Sequence, residues 1–244
     1  MRTHAVIPAA GRGTRMESDA GKKQFLPLAG KPVIVHTLNA FQDTPAVHRI
    51  VCAISSDDTP LFRGILADYN LIKVGQIVRG GERRQDSVHA AVLALEREAH
   101  PDDIVLVHDA VRPLVTGALI ERVIEAAQRF GGAVAALPVS DSLKMVSPDG
   151  IIQKSVSRDG MWTMQTPQAF RLSILIAAYQ KTIRSGFHGT DEAALVTHLG
   201  FPVHCVEGAA DNIKITHPTD LVLAERLLLQ RATTERGARE IPVP

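Results

Sequence analysis

Short apolar runs rich in β-branched residues alternate with amphipathic stretches along most of the chain. Five runs are almost continuously apolar and are predicted to be strands: residues 5–8, 49–55, 74–78, 104–108 and 133–138. Strands with this pattern are buried on both faces of a sheet. Between them, residues 32–41 and 87–99 carry apolar side chains on one side of a helix. The alternation predicts an α/β fold, a Rossmann-like and mostly parallel sheet with helices on both faces.

The pattern changes between residues 143 and 156. Two short alternating runs are joined there by Ser147-Pro148-Asp149-Gly150, which is typical of a hairpin turn. An isolated hairpin cannot bury both of its faces, so we expect the arm at about residues 139–160 to pack against a partner chain in a homodimer.

Helix starts are predicted near the end of the chain. Thr190 is expected to cap a helix that has acids in its first turn, and Pro218 is expected to open the last helix. We therefore predict a single domain over residues 1–231, followed by a flexible tail over residues 232–244.

Composition excludes several classes of protein. The chain has 244 residues, of which 45% are apolar and 22% charged, and its net charge is +1. These values fit one large domain with no bulk attraction to nucleic acid or membrane. No stretch approaches the ~18 apolar residues of a membrane helix. Cys52 and Cys205 have no metal-like spacing, and two reduced, buried thiols indicate a cytoplasmic protein.

The first predicted strand runs directly into a glycine-containing loop. Gly11 and Gly13 allow a tight turn that presents backbone N–H groups to anionic oxygens, and Arg15 and Lys23 add positive charge. Met16 stands where a dinucleotide-binding fingerprint needs glycine, and a P-loop sequence is absent. The loop predicts a triphosphate site of another kind, although an ordinary turn with solvated arginines also fits this segment alone.

Two further loops follow predicted strands and are expected at the same edge of the sheet, where such folds bind ligands. Gly80-Gly81 stand shortly before Arg84 and Ser87, so a flat base could approach the backbone, although an ordinary start of a helix explains this segment by itself. Asp109 and Arg112 follow the strand at residues 104–108 and could meet a ribose, a hydrated cation or a phosphate. A buried ion pair between these two side chains is the alternative.

Cations are concentrated at the predicted loops and strand ends. Lys214 lies in a strand-like run at residues 211–216, where it either faces inward toward an anion or lies on a solvated face. Together with it, the cations at such positions are Arg15, Lys23, Arg84, Arg112 and Arg158. In a chain of almost zero net charge, they predict substrates with several phosphates.

No nucleophile with an orienting acid is evident, and none of the ten histidines has metal-binding spacing. A phosphate oxygen is already anionic at neutral pH. An enzyme that uses a phosphate oxygen as the nucleophile would therefore need alignment and charge stabilisation rather than a strong base.

These segments, in this order, resemble those of the 2-C-methyl-D-erythritol 4-phosphate cytidylyltransferases of the non-mevalonate isoprenoid pathway. The resemblance covers essentially residues 4–230. It rests on the first loop through Met16, on Lys23-Gln24, on the Gly-Gly pair with Arg84 and Ser87, and on residues 108–113, 156–162, 166–168, 190–193 and 212–214.

The resemblance implies transfer of CMP from CTP to 2-C-methyl-D-erythritol 4-phosphate, giving 4-diphosphocytidyl-2-C-methyl-D-erythritol and pyrophosphate. Mg²⁺ or another divalent cation would lie mainly on the CTP phosphates, near Asp109. The implied catalytic residues are Arg15, Lys23, Arg158 and Lys214. The implied nucleotide-binding residues are Ala9, Ala10, Gly11, Gly13, Gly81, Arg84, Ser87, Asp109 and Ala110. The implied acceptor-binding residues are Arg112, Ser142, Arg158, Thr166, Thr190 and Lys214. In this family the arm crosses to a second subunit, so Arg158 would complete the partner's site.

Two departures from the family pattern affect these assignments. Ser142 stands where the family usually has threonine and keeps the hydroxyl group. One additional residue before Lys23 makes Lys22 a competitor for the lysine's role, although the run Lys-Gln-Phe-Leu favours Lys23. No cyclase domain follows the last helix, so the stand-alone form of the enzyme is expected.

Three other functions stay open at this point. A ribitol 5-phosphate cytidylyltransferase shares the loop motifs and differs in the polyol that it holds. A protein that binds CTP without catalysis is a second alternative, but it would not require Arg15, Lys23, Arg158 and Lys214 all together. A sugar-phosphate nucleotidyltransferase would prefer UTP or GTP.

Overall fold

The computed structural model describes residues 1–11 and 21–239. Its strands are β1 (Thr3–Pro8), β2 (Pro27–Leu28), β3 (Lys31–Pro32), β4 (Arg49–Ile54), β5 (Val74–Arg79), β6 (Ile104–Val107), β7 (Gly132–Pro138), β8 (Leu143–Val146), β9 (Ile152–Val156), β10 (Trp162–Arg171) and β11 (His204–Glu207). Its helices are α1 (Val33–Gln42), α2 (Thr59–Asp68), α3 (Arg84–Glu96), α4 (Gly117–Phe130), α5 (Leu172–Ser185), α6 (Glu192–Leu199) and α7 (Pro218–Arg239). Short 3-10 helices span Lys23–Phe25 and Ser56–Asp58.

Seven strands form one sheet in the order β11-β7-β10-β6-β1-β4-β5. Neighbouring strands are parallel except at β10, which is antiparallel to both β6 and β7. The predicted α/β class and mostly parallel sheet are therefore confirmed. The loops after β1, β5 and β6 leave the sheet at the same edge, because these three strands run in one direction.

Apolar side chains cover both faces of the sheet. On one face, Ile34 and Phe41 of α1 and Ile120 of α4 join the side chains of Ile7 and Leu106. On the other face, a second cluster joins α3, α5 and α6 to the alternate residues of the same strands. Burial on two sides explains why the central strands have almost no polar positions. The predicted placement of helices on both faces is confirmed.

The hairpin formed by β8 and β9 stands apart as a separate two-stranded sheet. Several of its apolar side chains are exposed, among them Met145, Ile151 and Ile152. The predicted hairpin is confirmed, and its role in a homodimer stays a prediction.

Three sequence predictions need correction, and two strands of the main sheet were missed. Strands β10 and β11 were not predicted, and residues 211–216, predicted to be strand-like, have no strand. The cap of α6 is Asp191, whose carboxylate accepts a hydrogen bond from the Ala194 N–H at 2.9 Å, and not Thr190. Cys205 is exposed, whereas Cys52 is buried as predicted.

Helix α7 extends to Arg239, beyond the predicted domain end at residue 231. The limits of the domain and the flexibility of the tail stay predictions. None of the helices in residues 1–11 and 21–239 combines the length and the apolar character that crossing a membrane requires.

Candidate active site

A cleft of about 240 Å³ lies at the edge where β1, β5 and β6 end. Main chain and side chains from five separate segments line it. The lining residues are Pro8, Ala9, Ala10, Gly11, Lys23, Gln24, Gly81, Glu82, Arg83, Arg84, Ser87, Asp109, Ala110, Val111 and Lys214. The structure thus brings together most of the residues that the sequence assigned to a nucleotide.

Gln24 fixes the start of the first loop. Its side-chain amide donates to the Ala9 carbonyl at 2.8 Å and to the Gly11 carbonyl at 3.3 Å. The Ala9 N–H donates to the Ala53 carbonyl at 2.8 Å. Gln24 is only 2% exposed, so these bonds hold the loop at the buried wall of the cleft. Sequence reasoning quoted Gln24 within a motif and gave it no role.

The Gly80-Gly81 pair lets the second loop lie directly against the first. A Cβ atom on Gly80 would be 2.2 Å from the Ala10 Cβ, and a Cβ atom on Gly81 would be 2.4 Å from the Asp86 Cβ. The Gly81 N–H donates to the Ser87 hydroxyl oxygen at 3.1 Å. Ser87 lies in the first turn of α3, so the segment is both a helix start and a wall of the cleft.

Asp109 is the centre of the charged part of the cleft. Its Oδ1 accepts from the Arg84 Nε at 2.8 Å, and its Oδ2 accepts from the Lys214 Nζ at 2.8 Å. Arg112 Nε is 3.7 Å from the same Oδ2. Burial alone would raise the pKa of Asp109, but the charges of Arg84 and Lys214 hold it well below its ordinary value. Lys214 therefore faces inward and meets an anion, as one of the two interpretations expected.

The alternative ion pair between Asp109 and Arg112 is present as the longest of these contacts. Arg112 lies beside the cleft lining rather than in it, and its Nη1 donates to the Asn212 carbonyl at 2.7 Å. Asn212 donates in turn to the Thr166 carbonyl at 2.8 Å. Arg112 thus ties the chain around Lys214 to the end of β6.

Arg84 joins the cleft to a second, buried carboxylate. Its two terminal nitrogens each donate to one oxygen of Glu192 at 2.9 Å, and Tyr179 donates its hydroxyl to the same carboxylate at 3.3 Å. Burial would lower the pKa of Arg84, but Glu192 and Asp109 raise it above its ordinary value. Sequence reasoning counted Arg84 as a cation for phosphates and missed Glu192, which read as an ordinary acid in the first turn of a helix.

Thr166 lies beneath the cleft and does not line it. Its hydroxyl oxygen accepts from the Asp109 N–H at 3.1 Å and lies 3.0 Å from His108 Nδ1. The neutral His108 ring carries its proton on Nε2, which faces a carbonyl, so Nδ1 accepts from the Thr166 hydroxyl. His108 then donates from Nε2 to the Arg112 carbonyl at 3.1 Å. Burial lowers the pKa of His108 to about 3, so the ring is neutral at physiological pH.

The two neighbouring lysines have different surroundings. Lys23 lines the cleft, and its Nζ donates to the Ile215 carbonyl at 3.3 Å. Lys22 instead forms an ion pair with Asp58 and donates to the Ser55 hydroxyl at 3.2 Å, away from the cleft lining. This difference favours Lys23 for any role in the cleft.

Some predicted site residues are not brought to the cleft of this chain. Arg158 turns back along the arm to the Ser140 carbonyl, and Ser142, Arg158 and Thr190 are all exposed. None of these three lines the cleft. Gly13 and Arg15 lie outside the described residues. Within the described part of the chain, no group of three His, Cys, Asp or Glu side chains could hold a metal ion.

Comparison with known proteins identifies relatives of this chain in sequence and in structure. The family model described as 2-C-methyl-D-erythritol 4-phosphate cytidylyltransferase matches residues 3–230. Proteins of that name from Syntrophus aciditrophicus and Lysinibacillus sphaericus are 44% and 40% identical, covering 92% and 95% of this chain and 94% and 98% of their own length. The crystal structure of the Thermus thermophilus protein of that name matches with a TM-score of 0.75 at 38% identity, covering 93% of this chain and 98% of that chain.

Proposed function

The chain belongs to the family of 2-C-methyl-D-erythritol 4-phosphate cytidylyltransferases, and from this premise we propose how its cleft carries out the reaction. The enzyme is a nucleotidyltransferase that transfers CMP from CTP to 2-C-methyl-D-erythritol 4-phosphate in isoprenoid synthesis. The products are 4-diphosphocytidyl-2-C-methyl-D-erythritol and pyrophosphate. The observation that carries the proposed mechanism is the arrangement of Lys23, Lys214 and open backbone around one cleft at the ends of parallel strands.

The nucleotide half of the proposed site is formed by backbone. Residues 9–11 and Gly81 offer main-chain groups, and Ser87 stands beside them. Gly80 packs directly against Ala10 and Gly81 packs against the start of α3, so backbone rather than side chains forms this wall, and a flat cytosine ring would approach it closely. Asp109 and Ala110 would then lie toward the ribose.

The proposed chemistry is in-line attack by an oxygen of the acceptor phosphate on the α-phosphorus of CTP. That oxygen is anionic at neutral pH, so the enzyme needs alignment and charge stabilisation rather than a base. Lys23 would stabilise the negative charge that develops on the α-phosphate and on the departing pyrophosphate. Arg15 is proposed for the same role on the strength of the family resemblance.

A divalent cation fits this cleft only if the nucleotide supplies most of its ligands. Both oxygens of Asp109 already have cationic partners, and the described residues include no cluster of three ligating side chains. Mg²⁺ commonly takes one or two protein carboxylates together with substrate phosphates. We propose that Mg²⁺ binds the CTP phosphates near Asp109 and neutralises part of their charge.

The acceptor half of the proposed site is divided between two chains. Lys214 lines the cleft and Arg112 lies beside that lining, whereas Arg158 and Ser142 belong to the exposed arm. Apolar side chains on the arm, such as Met145 and Ile152, would be covered by a second subunit. We propose that the arm of each subunit carries Arg158 to the acceptor phosphate bound by its partner, with Thr190 beside that phosphate. Thr166, assigned to the acceptor by the resemblance, would support this site from beneath through the Asp109 N–H.

Pyrophosphate release from the purified protein with Mg²⁺ and CTP tests this function. Methylerythritol phosphate and ribitol phosphate are compared in parallel, and CTP is replaced by UTP or GTP as a control. Release that depends on CTP and on methylerythritol phosphate is expected. Release only with ribitol phosphate would show that the proposed mechanism acts on a different acceptor. Binding of CTP without release of pyrophosphate would show that the protein binds the nucleotide but does not catalyse a reaction.

A further inference from the structure

Glu192 is a buried carboxylate placed directly behind the cleft. It begins α6, is 1% exposed and does not line the cleft, so it cannot touch either substrate. Its only ionic partner among the described side chains is Arg84, which it binds through both oxygens. A buried charge is costly unless it is paired, so this pair constrains the positions of both side chains.

The shape of the guanidinium group transmits that constraint to Asp109. A guanidinium is planar and holds its donors in a fixed fork. With its two terminal nitrogens directed at Glu192, its remaining nitrogen, Nε, is directed at the Asp109 Oδ1 at 2.8 Å. The carboxylate of Asp109 is thereby oriented so that its second oxygen meets the Lys214 Nζ, also at 2.8 Å.

The far end of this chain of contacts reaches the cleft. The Lys214 side chain is 35% exposed, so its ammonium group is accessible to a bound phosphate while Asp109 holds it. Without Glu192, the terminal nitrogens of Arg84 would have Asp109 as their remaining carboxylate. Arg84 would then compete with Lys214 for the Asp109 Oδ2 atom.

We infer that Glu192 is a positioning residue for the acceptor phosphate, acting through Arg84 and Asp109 on Lys214. This inference rests on the proposed function, because Lys214 is assigned there to the acceptor. The network links α6 to α3, to the end of β6 and to the segment before α7, which are far apart in the sequence.

The first test compares Glu192→Gln with the wild-type enzyme. Glutamine keeps the shape but loses the charge and one acceptor site for Arg84. Calorimetry with a non-hydrolysable CTP analogue then measures the Kd of methylerythritol phosphate, so that slow variants are still measurable. The Kd of the acceptor should rise about tenfold, as is usual when one member of a coupled network is lost, and the Kd of the CTP analogue should change much less.

Glu98→Gln is the control for loss of a carboxylate–arginine pair far from the cleft, at a more exposed position. Glu98 pairs with Arg49 at the start of β4, at the opposite edge of the sheet from the cleft. Its removal also breaks a carboxylate–arginine pair, but both Kd values should stay at the wild-type level. If Glu192 were only structural, Glu192→Gln would lower the active fraction and leave both Kd values unchanged, and that result would overturn the inference.

A double-mutant cycle with Lys214→Gln identifies the route. If Glu192 acts through Lys214, Glu192→Gln should weaken acceptor binding by less than about twofold once Lys214 is replaced. An equal loss in both backgrounds would overturn the inference. If Glu192→Gln does not fold, the same cycle is run with Glu192→Asp, which keeps the charge and shortens the side chain. A wild-type enzyme without turnover would refute the proposed function itself, and this result is obtained before any variant is made.

Discussion

Replacement of each of two adjacent lysines provides a sharp test of the proposed mechanism. Lys23 lines the cleft, whereas Lys22 is paired with Asp58 outside it. The two residues have the same chemistry and nearly the same position in the chain. Lys23→Ala and Lys22→Ala are therefore matched perturbations, one inside the proposed site and one beside it.

The expected magnitude follows from charge. Two unit charges 4 Å apart interact by about 4 kcal/mol at the effective dielectric constant of a protein surface. Removal of one stabiliser of a developing oxyanion costs roughly 3–4 kcal/mol, which is about 10²–10³-fold in kcat. Lys23→Ala should therefore lower kcat by about 10²-fold or more. The Lys22–Asp58 pair is partly exposed, so Lys22→Ala should cost about 1 kcal/mol of stability or less and leave kcat nearly unchanged.

Steady-state pyrophosphate release, with both substrates varied, separates the possible effects. A loss in kcat at saturating CTP indicates charge stabilised in the transition state, whereas a rise in KM alone indicates binding of ground-state CTP. Thermal unfolding of both variants serves as the control for folding. An unchanged kcat in Lys23→Ala, or a loss of similar size in Lys22→Ala, would refute the assignment.

Three further outcomes are expected. Gly80→Ala should lower the free energy of unfolding by about 1–3 kcal/mol through overpacking, whereas Gly64→Ala, in an open position inside α2, should not; urea unfolding measures both. Because burial lowers the pKa of His108 from 6.5 to about 3, only the unfolded chain takes up that proton between these values, and the free energy of unfolding should fall as the pH falls from 6.5. A pH series of unfolding curves should show a shallower slope for His108→Gln, and an unchanged slope would contradict the burial of a neutral ring. Arg158→Ala and Lys214→Gln, each impaired alone, should regain activity when co-expressed, because a mixed dimer contains one site with both residues; no recovery would contradict a site shared between subunits.

The parts of the fold that sequence could predict are those where burial leaves a local pattern. β1, β4 and β6 read as strands because both of their faces are covered. β10 did not, because it carries the buried polar side chains of Gln165 and Gln168 and its register shifts between Met164 and Gln168. β11 is the outermost strand of the sheet and is largely exposed, so it lacks an apolar run.

The residues of the candidate site likewise divide into those that local sequence could predict and those that it could not. Residues 9–11 and Asp109 follow strands directly, so strand order alone predicts that they meet. The partners of a charge are not local: Glu192 is 108 residues from Arg84, and nothing in the sequence near either residue indicates the pair. For this reason Arg84 was counted among the phosphate cations, whereas three of its nitrogens donate to carboxylates.

The most direct test of the central claim is the stoichiometry of the reaction, followed by ³¹P NMR. The purified enzyme is incubated with Mg²⁺, CTP and methylerythritol phosphate, and the phosphorus signals of all species are integrated. One equivalent of a new diphosphate diester should appear for each pyrophosphate released, with no CMP. Pyrophosphate accompanied by CMP would mean hydrolysis rather than transfer, and an unchanged spectrum in the presence of bound CTP would mean that the cleft binds a nucleotide without catalysis.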